Sequence, residues 1–492
     1  MLHKNCPRSR PEAFKMFHTF VQCALFCVTV YCCRWWQMQE RWKLLSRLPG
    51  PRCFPLIGAM YVIPGRDTSR YLETIIGLTG AYGSPYCIWL GPVPVVIVSS
   101  ADHARTILTS PATVEKASFY RFTPLQGIFS LPADKWRAHR KLIQPSFNQS
   151  ILRGFIPLFV QKTDAMMRGL GEVAEKGQPF DVYRFTARCT LDMIFATTLG
   201  TDMHIQDKPV CSYLEVLEEL FEIVTIRAVN LFLHPQWLYR WTSVYRKETK
   251  ALKEFCRPSK MILARKATEN SHRFSLIEQL QNSAMLDSAA MEQELNTIIF
   301  AGNETSAMTV ANTILLLAMH PHVQEKLVDE IRLQCGAEGE QSIGYETLNR
   351  LTYMELVLKE SLRLLPIAAV VGRRTTAEVD LGQYRLPADI DIVIDIFDIH
   401  RNPAYWGSDA DRFRPERFEG LRHDPFALLP FSAGSRNCVG LRYAWISMKI
   451  MLLKVLRSYR VDTDLKLENL TMKIALTMKI SNGHMVRLKR RQ

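Results

Sequence analysis

Cys438 lies in Phe431-Ser-Ala-Gly434-Ser-Arg436-Asn-Cys438-Val-Gly440, two residues after an arginine and bracketed by glycines. Behind it an apolar run, Leu441, Trp445, Ile446, Met448, Ile450, Met451 and Val455, reads as a helix. A cysteine just before a helix start sits at the positive end of the macrodipole, and Arg436 adds to that field, so the thiolate is the expected form. The two glycines, Gly434 and Gly440, permit turns and close backbone approach that a side chain would block. Such a loop can offer one anionic sulfur, from one side, to a flat metal cofactor. A cysteine before a helix is otherwise a small buried hydrophobe.

A second reactive group is Ala301-Gly302-Asn303-Glu304-Thr305, inside a helix that the pattern predicts from about Glu294 to Met319. At about 1.5 Å per residue that helix is about 39 Å long, enough to cross a whole domain. Between Leu295 and Met319 its only ionisable side chain is Glu304. A carboxylate in an apolar helix is costly unless paired, hydrated or functional. Gly302 is expected to open space on the helix face, and Thr305 to bond back into its own helix.

Trp136 and Arg140 stand four apart and so share a helix face; both are pure donors suited to carboxylates. Arg137 and Lys141 face another way and, with Arg442 and Lys449, make a candidate basic face. Glu360 and Arg363 form an i,i+3 pair in Lys359-Glu-Ser-Leu-Arg363, followed later by Phe413-Arg-Pro-Glu-Arg417-Phe.

The elements that must position these residues are mostly helical in pattern. Short strands are expected at Cys87–Leu90 and Val95–Val98, and alternation returns at Ile390, Ile392, Ile394 and Ile396. The expected fold class is mainly α with a small β-sheet near the N-terminal third, in a single large domain. Hydrophobic residues make up 47% of the 492, ample for one sizeable core, and no solenoid repeat is present.

Twelve cysteines at irregular spacings, without CxxC pairs, read as reduced thiols on a cytosol-facing chain. The net charge of +14 comes with no zinc-finger, RNA-binding or basic-zipper signature, which leaves an anionic membrane or an acidic protein as the expected partner and excludes nucleic acid. Phe17–Cys33 carries no Lys, Arg, Asp or Glu and is followed by Arg34-Trp35-Trp36, Arg41, Lys43 and Arg47. We read residues 1–33 as an N-terminal membrane anchor, 34–55 as a basic, proline-rich hinge containing Leu48-Pro-Gly-Pro-Arg52, and 56–492 as the catalytic domain. The basic start, with Lys4, Arg8 and Arg10, leaves a mitochondrial transit peptide as the alternative. The aromatic stretch Asn230–Trp241 is open to three readings: substrate channel, bilayer contact or core.

The Cys438 loop resembles the haem-ligand loop of the cytochrome P450 superfamily, and Pro430–Cys438 is similar to its family 4 branch; Gln144–Leu152 and Asn230–Trp241 resemble insect-type members. The resemblance covers roughly residues 48 to 490, with the motifs in order. It implies the P450 fold, haem b held non-covalently apart from a Cys438 thiolate–iron bond, and a loop in which Phe431 and Gly440 frame the ligand. Thiolate ligation favours O–O cleavage. Arg436, Trp136, Arg140 and Arg373 would bind haem propionates, Arg374 being the alternate for Arg373. Glu304 and Thr305 would be the acid–alcohol pair that delivers protons, and Glu360, Arg363 and Arg417 a structural charge triad. Ala301 departs from the branch: many members carry there a glutamate that esterifies the haem, and an alanine cannot.

The resemblance thus implies a haem-thiolate monooxygenase inserting one atom of O2 into a hydrophobic substrate such as a fatty acid, other lipid, hormone or xenobiotic. No GxGxxG fingerprint or fused flavin domain is present, so electrons would come from a separate NADPH–cytochrome P450 reductase, with cytochrome b5 as a further donor. The implied location is the endoplasmic reticulum membrane, catalytic domain on the cytosolic face. Gly440-Leu-Arg442-Tyr443 lacks the second adjacent arginine of the mitochondrial branch, the alternative. Two rivals stay open: a reductase-independent haem isomerase or dehydratase, which Glu304-Thr305 disfavours, and a non-catalytic haem-binding sensor.

Overall fold

The computed structural model describes residues 43–491 apart from 55–56, 66–67, 209–211, 265–275, 337–342 and 421–422, together with scattered positions between 18 and 32. The anchor expected at 1–33 lies largely outside the described residues, as does the start of the hinge. Among the described residues no helix is long and apolar enough to cross a membrane.

Helices dominate, as the pattern predicts, but the sheet is not confined to the N-terminal third. Strands β1 (Tyr86–Leu90) and β2 (Val93–Val98) pair antiparallel. They are joined by two strands from far along the chain, β3 (Val370–Arg374) and β4 (Asp391–Asp395), in the order β1-β2-β4-β3. The β2–β4 contact is parallel, with Val96 opposite Ile392. The alternating isoleucines are the reason: Ile392 and Ile394 point into a second core with Val96, Val98, Ile107 and Leu429. Ile396 leaves the alternation and starts a short helix, Ile396–Ile399, capped by Asp395.

The expected hinge is not a free linker where it is described. Leu45 and Leu48 join this second core, and the Pro49 carbonyl accepts the Cys87 N–H at 2.9 Å. A Cβ on Gly50 would lie 2.1 Å from the Cys87 carbonyl oxygen, so the chain needs glycine to lie down on β1. The packed body therefore begins before residue 56.

The helices that carry the candidate site are α1 (Ala133–Ile143), α2 (Tyr183–Thr198), α3 (Ser288–Met319), α4 (Thr352–Leu364) and α5 (Leu441–Ser458). The long helix α3 starts earlier than its apolar pattern does, because Asp287 caps it by accepting from the Ala290 N–H at 2.7 Å. It ends at His320, and Pro321 opens the next helix. Helix α3 runs through the main core, packed on α2, α4 and α5. A small hairpin near the C-terminus, β5 (Met472–Ile474) and β6 (Met478–Ile480), closes on its flank.

Candidate active site

The Cys438 loop is built by hydrogen bonds and two left-handed residues. The Cys438 N–H donates to the Phe431 carbonyl at 3.0 Å, and Ser432 (φ 57°) and Gly434 (φ 72°) turn the chain between them. A Cβ on Gly434 would lie 1.8 Å from the Leu108 carbonyl oxygen, so no other residue fits. Gly440 differs: its φ is ordinary, and a Cβ would meet Cys438 Sγ at 3.9 Å, normal contact. What Gly440 supplies is position, since it caps α5 and its N–H points at the sulfur.

The protein around the thiol does not by itself favour the thiolate. Cys438 is free and accessible, yet the protein around it pushes its pKa up through desolvation, with the Gly440 N–H and the Arg140 guanidinium pulling down. The cation near the sulfur is thus Arg140, not Arg436. Arg140 donates to the Asn437 carbonyl (2.8 Å) and to Asn437 Oδ1 (3.0 Å), moored to the ligand loop itself.

Arg436 turns away and lies over the Trp136 ring at 4.3 Å, donating to the carbonyls of Val114 (3.1 Å) and Leu131 (2.7 Å). Its third nitrogen, Nη1, is buried without a partner among the described residues. Arg373 is 2% exposed and reaches only the Gly372 carbonyl and, at 3.4 Å, Ser432 Oγ. A third cation, Lys116, sits with them, its ammonium over Tyr120 at 4.3 Å. Burial lowers the pKa of all three, most strongly that of Lys116, which Arg373 and Arg436 lower further. None of the three forms an ion pair with a carboxylate among the described residues. Arg374, by contrast, is paired with Asp391 at 3.0 Å and Asp389 at 3.8 Å, which removes it as the alternate. Two buried arginines, one with an N–H orphaned among the described residues, and a partly buried lysine are unstable alone and fit the two carboxylates of a haem. Lys116 belongs to no motif, and nothing in its neighbours Glu115 and Ala117 signals it.

On α3, Ala301, Gly302 and Thr305 are partly exposed while Asn303 and Glu304 are buried. Met308, one turn beyond Thr305, shares an apolar cluster with Leu362, Ile367 and Phe431, which brings this helix to the Cys438 loop. Thr305 Oγ1 donates to the Ala301 carbonyl at 2.8 Å, as expected. Gly302 does not open a space. Its missing Cβ would lie 3.0 Å from Ile194 Cδ1, so it lets α2 close on α3, where Thr190 Oγ1 donates to Asn303 Oδ1 at 2.7 Å.

Glu304 has no solvent exposure and is paired, a fact the sequence concealed. Lys479 Nζ of β6 lies 2.6 Å from Oε1, Thr477 Oγ1 donates to the same oxygen at 3.3 Å, and Oε2 has no hydrogen-bond partner among the described residues. Burial raises its pKa, with Lys479 opposing. A lysine in a three-residue strand carries no motif, so only the fold reveals it.

The triad expected behind the site assembles. Arg363 Nε and Nη2 donate to Glu360 at 2.7 and 2.9 Å, and Arg417 Nε at 2.9 Å. The remaining arginine N–H groups donate to the carbonyls of His400, Ala410, Trp406 and Asp409, so a fully buried charge cluster is satisfied. The basic face is smaller than expected. Arg137, Lys141 and Arg442 are exposed, but Lys449 is buried, donating to the Leu348 carbonyl and lying 3.6 Å from Glu355.

This cysteine loop, cation cradle and long helix define a haem-thiolate fold, and similarity gives the same class. The family model described as Cytochrome P450 matches residues 48–486, and the chain belongs to that family. It is 30% identical to a probable cytochrome P450 313a4 of Drosophila melanogaster, over 95% of this chain and 98% of the relative. It is 29% identical to cytochrome P450 4c21 of Blattella germanica (89% and 92% covered) and 28% to human cytochrome P450 4V2 (92% and 91%). The protein is a haem-thiolate monooxygenase using haem b, and it takes a hydrophobic substrate, O2 and electrons from a redox partner.

Proposed function

We propose that Cys438 is the axial thiolate, that Arg373, Arg436, Trp136, Arg140 and Lys116 hold the propionates, and that Glu304 and Thr305 deliver protons for oxygen activation in a lipid-directed monooxygenase. The observation that carries this is the cradle of two buried arginines and a partly buried lysine, none of them ion-paired among the described residues, beside a free cysteine. When bound, haem supplies the iron that activates dioxygen and a positive charge that deprotonates the thiol. The chain does the rest. Gly440 and Arg140 stabilise the thiolate, Trp136 supports Arg436, and Phe431 holds the loop through its carbonyl. Thr305 offers a hydroxyl on the accessible face of α3, and Glu304 can pass it a proton taken up through Lys479, which is partly exposed. Glu360, Arg363 and Arg417 brace the wall behind. Ala301 offers no carboxylate for an ester link.

Electrons would come from NADPH–cytochrome P450 reductase, and from cytochrome b5, docking on Arg137, Lys141 and Arg442 by charge complementarity. The exposed aromatics Phe232, Trp237 and Trp241, 71–82% accessible, favour bilayer contact for the stretch 230–241, in keeping with a membrane-associated enzyme whose proposed location is the endoplasmic reticulum.

The test is reconstitution of the full chain with haem, reductase and NADPH over a panel of fatty acids, hydrocarbons and isoprenoids. Coupled oxygen consumption with hydroxylated product is expected. A Cys438→Ala variant that kept the thiolate-type ferrous–CO absorption, or a wild type giving no product across the panel, would overturn the reading.

A further inference from the structure

We propose that Glu294 is a positioning residue: it latches the cofactor cradle to the long helix and thereby slows loss of haem. The inference rests on the haem-thiolate reading above. Glu294 lies on α3, three turns before Glu304, and its side chain has no solvent exposure. A carboxylate so placed has to spend its hydrogen-bonding capacity inside the protein. It does so on two partners from different segments. Oε1 lies 2.5 Å from His139 Nδ1, and Oε2 accepts the buried Ile128 N–H at 2.9 Å.

Both partners lead into the cradle. His139 sits on α1 between Trp136 and Arg140. Ile128 belongs to the loop that reaches Leu131, whose carbonyl accepts from Arg436 Nη2 at 2.7 Å. One side chain therefore sets where α1 and the Arg436 support stand relative to α3. Neighbouring contacts make the same grip. The Gln126 N–H donates to Gln293 Oε1 at 2.9 Å, and a Cβ on Gly127 would lie 2.2 Å from Thr297 Oγ1. Residues 126, 127 and 128 thus fit in succession against one face of α3. Neither thiolate ligation nor proton delivery uses Glu294, so its burial is otherwise unexplained.

If the carboxylate is lost, a buried N–H and an imidazole lose their acceptor together, and the loop under Arg436 is released. Glu294→Leu is expected to speed haem transfer to an excess of a haem-scavenging apoprotein by about tenfold or more, equivalent to about 1.4 kcal/mol. Its Ile128 amide, read by hydrogen exchange in the haem-free chain, is expected to lose protection. Glu294→Gln is expected to stay within about threefold of wild type, because the amide oxygen can still accept from Ile128 and the amide keeps a polar group against the His139 ring. His139→Phe keeps the ring volume, removes one bond and is expected to fall between them; it also decides the matter if Glu294→Leu fails to fold. Wild-type haem retention and Ile128 protection in both Glu294→Leu and His139→Phe would overturn the latch. So would Glu294→Gln releasing haem as fast as Glu294→Leu. A wild type lacking the thiolate-type ferrous–CO absorption would instead refute the Cys438 reading, while the exchange measurement still decides the latch.

Discussion

Glu304 and Lys479 meet at 2.6 Å inside the protein, one from the middle of the longest helix and one from the hairpin near the C-terminus. Desolvation raises the Glu304 pKa, and Lys479 opposes that rise, so the lysine sets how readily this buried carboxyl holds or releases a proton. Lys479→Met should therefore leave haem binding intact and lower the fraction of consumed oxygen that appears as product. Product yield per NADPH, with the ferrous–CO spectrum as control, checks it. Unchanged coupling would remove Lys479 from proton delivery.

Glu304 also has a stability signature. Its folded pKa lies above the ordinary carboxylate value, so its contribution is present in full below that value and is lost as pH rises through the folded pKa. Glu304→Gln should flatten this pH dependence of stability while turnover falls. Thermal unfolding across pH 4–8, an interval of about four units around the ordinary range, measures the difference.

Lys116 has the opposite dependence. Burial beside Arg373 and Arg436 holds its pKa well below the usual lysine range, so the unfolded chain binds more protons, and the haem-free protein gains stability as pH rises towards that range. Lys116→Met should remove this gain and stabilise the haem-free protein at neutral pH. It should also weaken haem retention, because an expected propionate partner is gone. Urea unfolding of the haem-free chain and haem loss from the loaded one separate the two effects.

The charge triad should be intolerant of single deletions. Arg417→Ala leaves Glu360 with one of its two cations, and removing one partner of a buried pair costs about 3–5 kcal/mol. Since that is a large share of a typical domain's stability, the expected outcome is loss of soluble haem-loaded protein, read by denaturant midpoint and haem content. A shift under about 1 kcal/mol would mean that the cluster is screened.

Gly434→Ala meets two obstacles at once, a left-handed φ and a carbonyl oxygen where the Cβ must go. Helical circular dichroism should survive while haem incorporation is lost, because the displaced loop carries Cys438. The equivalent change at Gly440, where φ and space are ordinary, should be far milder.

Motif-bearing residues were legible in the sequence because their spacing is local. The Cys438 loop, the helix around Glu304, and the elements of the Glu360–Arg363–Arg417 cluster follow from patterns within a few residues of each. Lys116, Lys479 and the His139–Glu294 contact were not legible, since each depends on a pairing between segments far apart in the chain, made by residue types common on any surface. Arg436 shows the limit from the other side. Its proximity to Cys438 in sequence suggested help for the thiolate, yet the turn at Ser432 and Gly434 points it to Trp136 and leaves that work to Arg140. Strand pairing was half visible: alternation found β4, while its parallel partner β2, from the other end of the chain, carried no signal of the match.

Arg373 and Arg374 are neighbours on β3 and point to opposite faces, the first into the cradle and the second onto Asp389 and Asp391. The sheet therefore sorts two chemically identical side chains by parity alone. A slip of one residue between β3 and β4 would send Arg374 inward and strand Arg373 outside. Hydrogen-bond counting in a four-stranded sheet thus decides which arginine lines the cradle, and a β-bulge introduced anywhere along β3 ahead of Arg373 would empty the cradle of that arginine without altering a single residue in it.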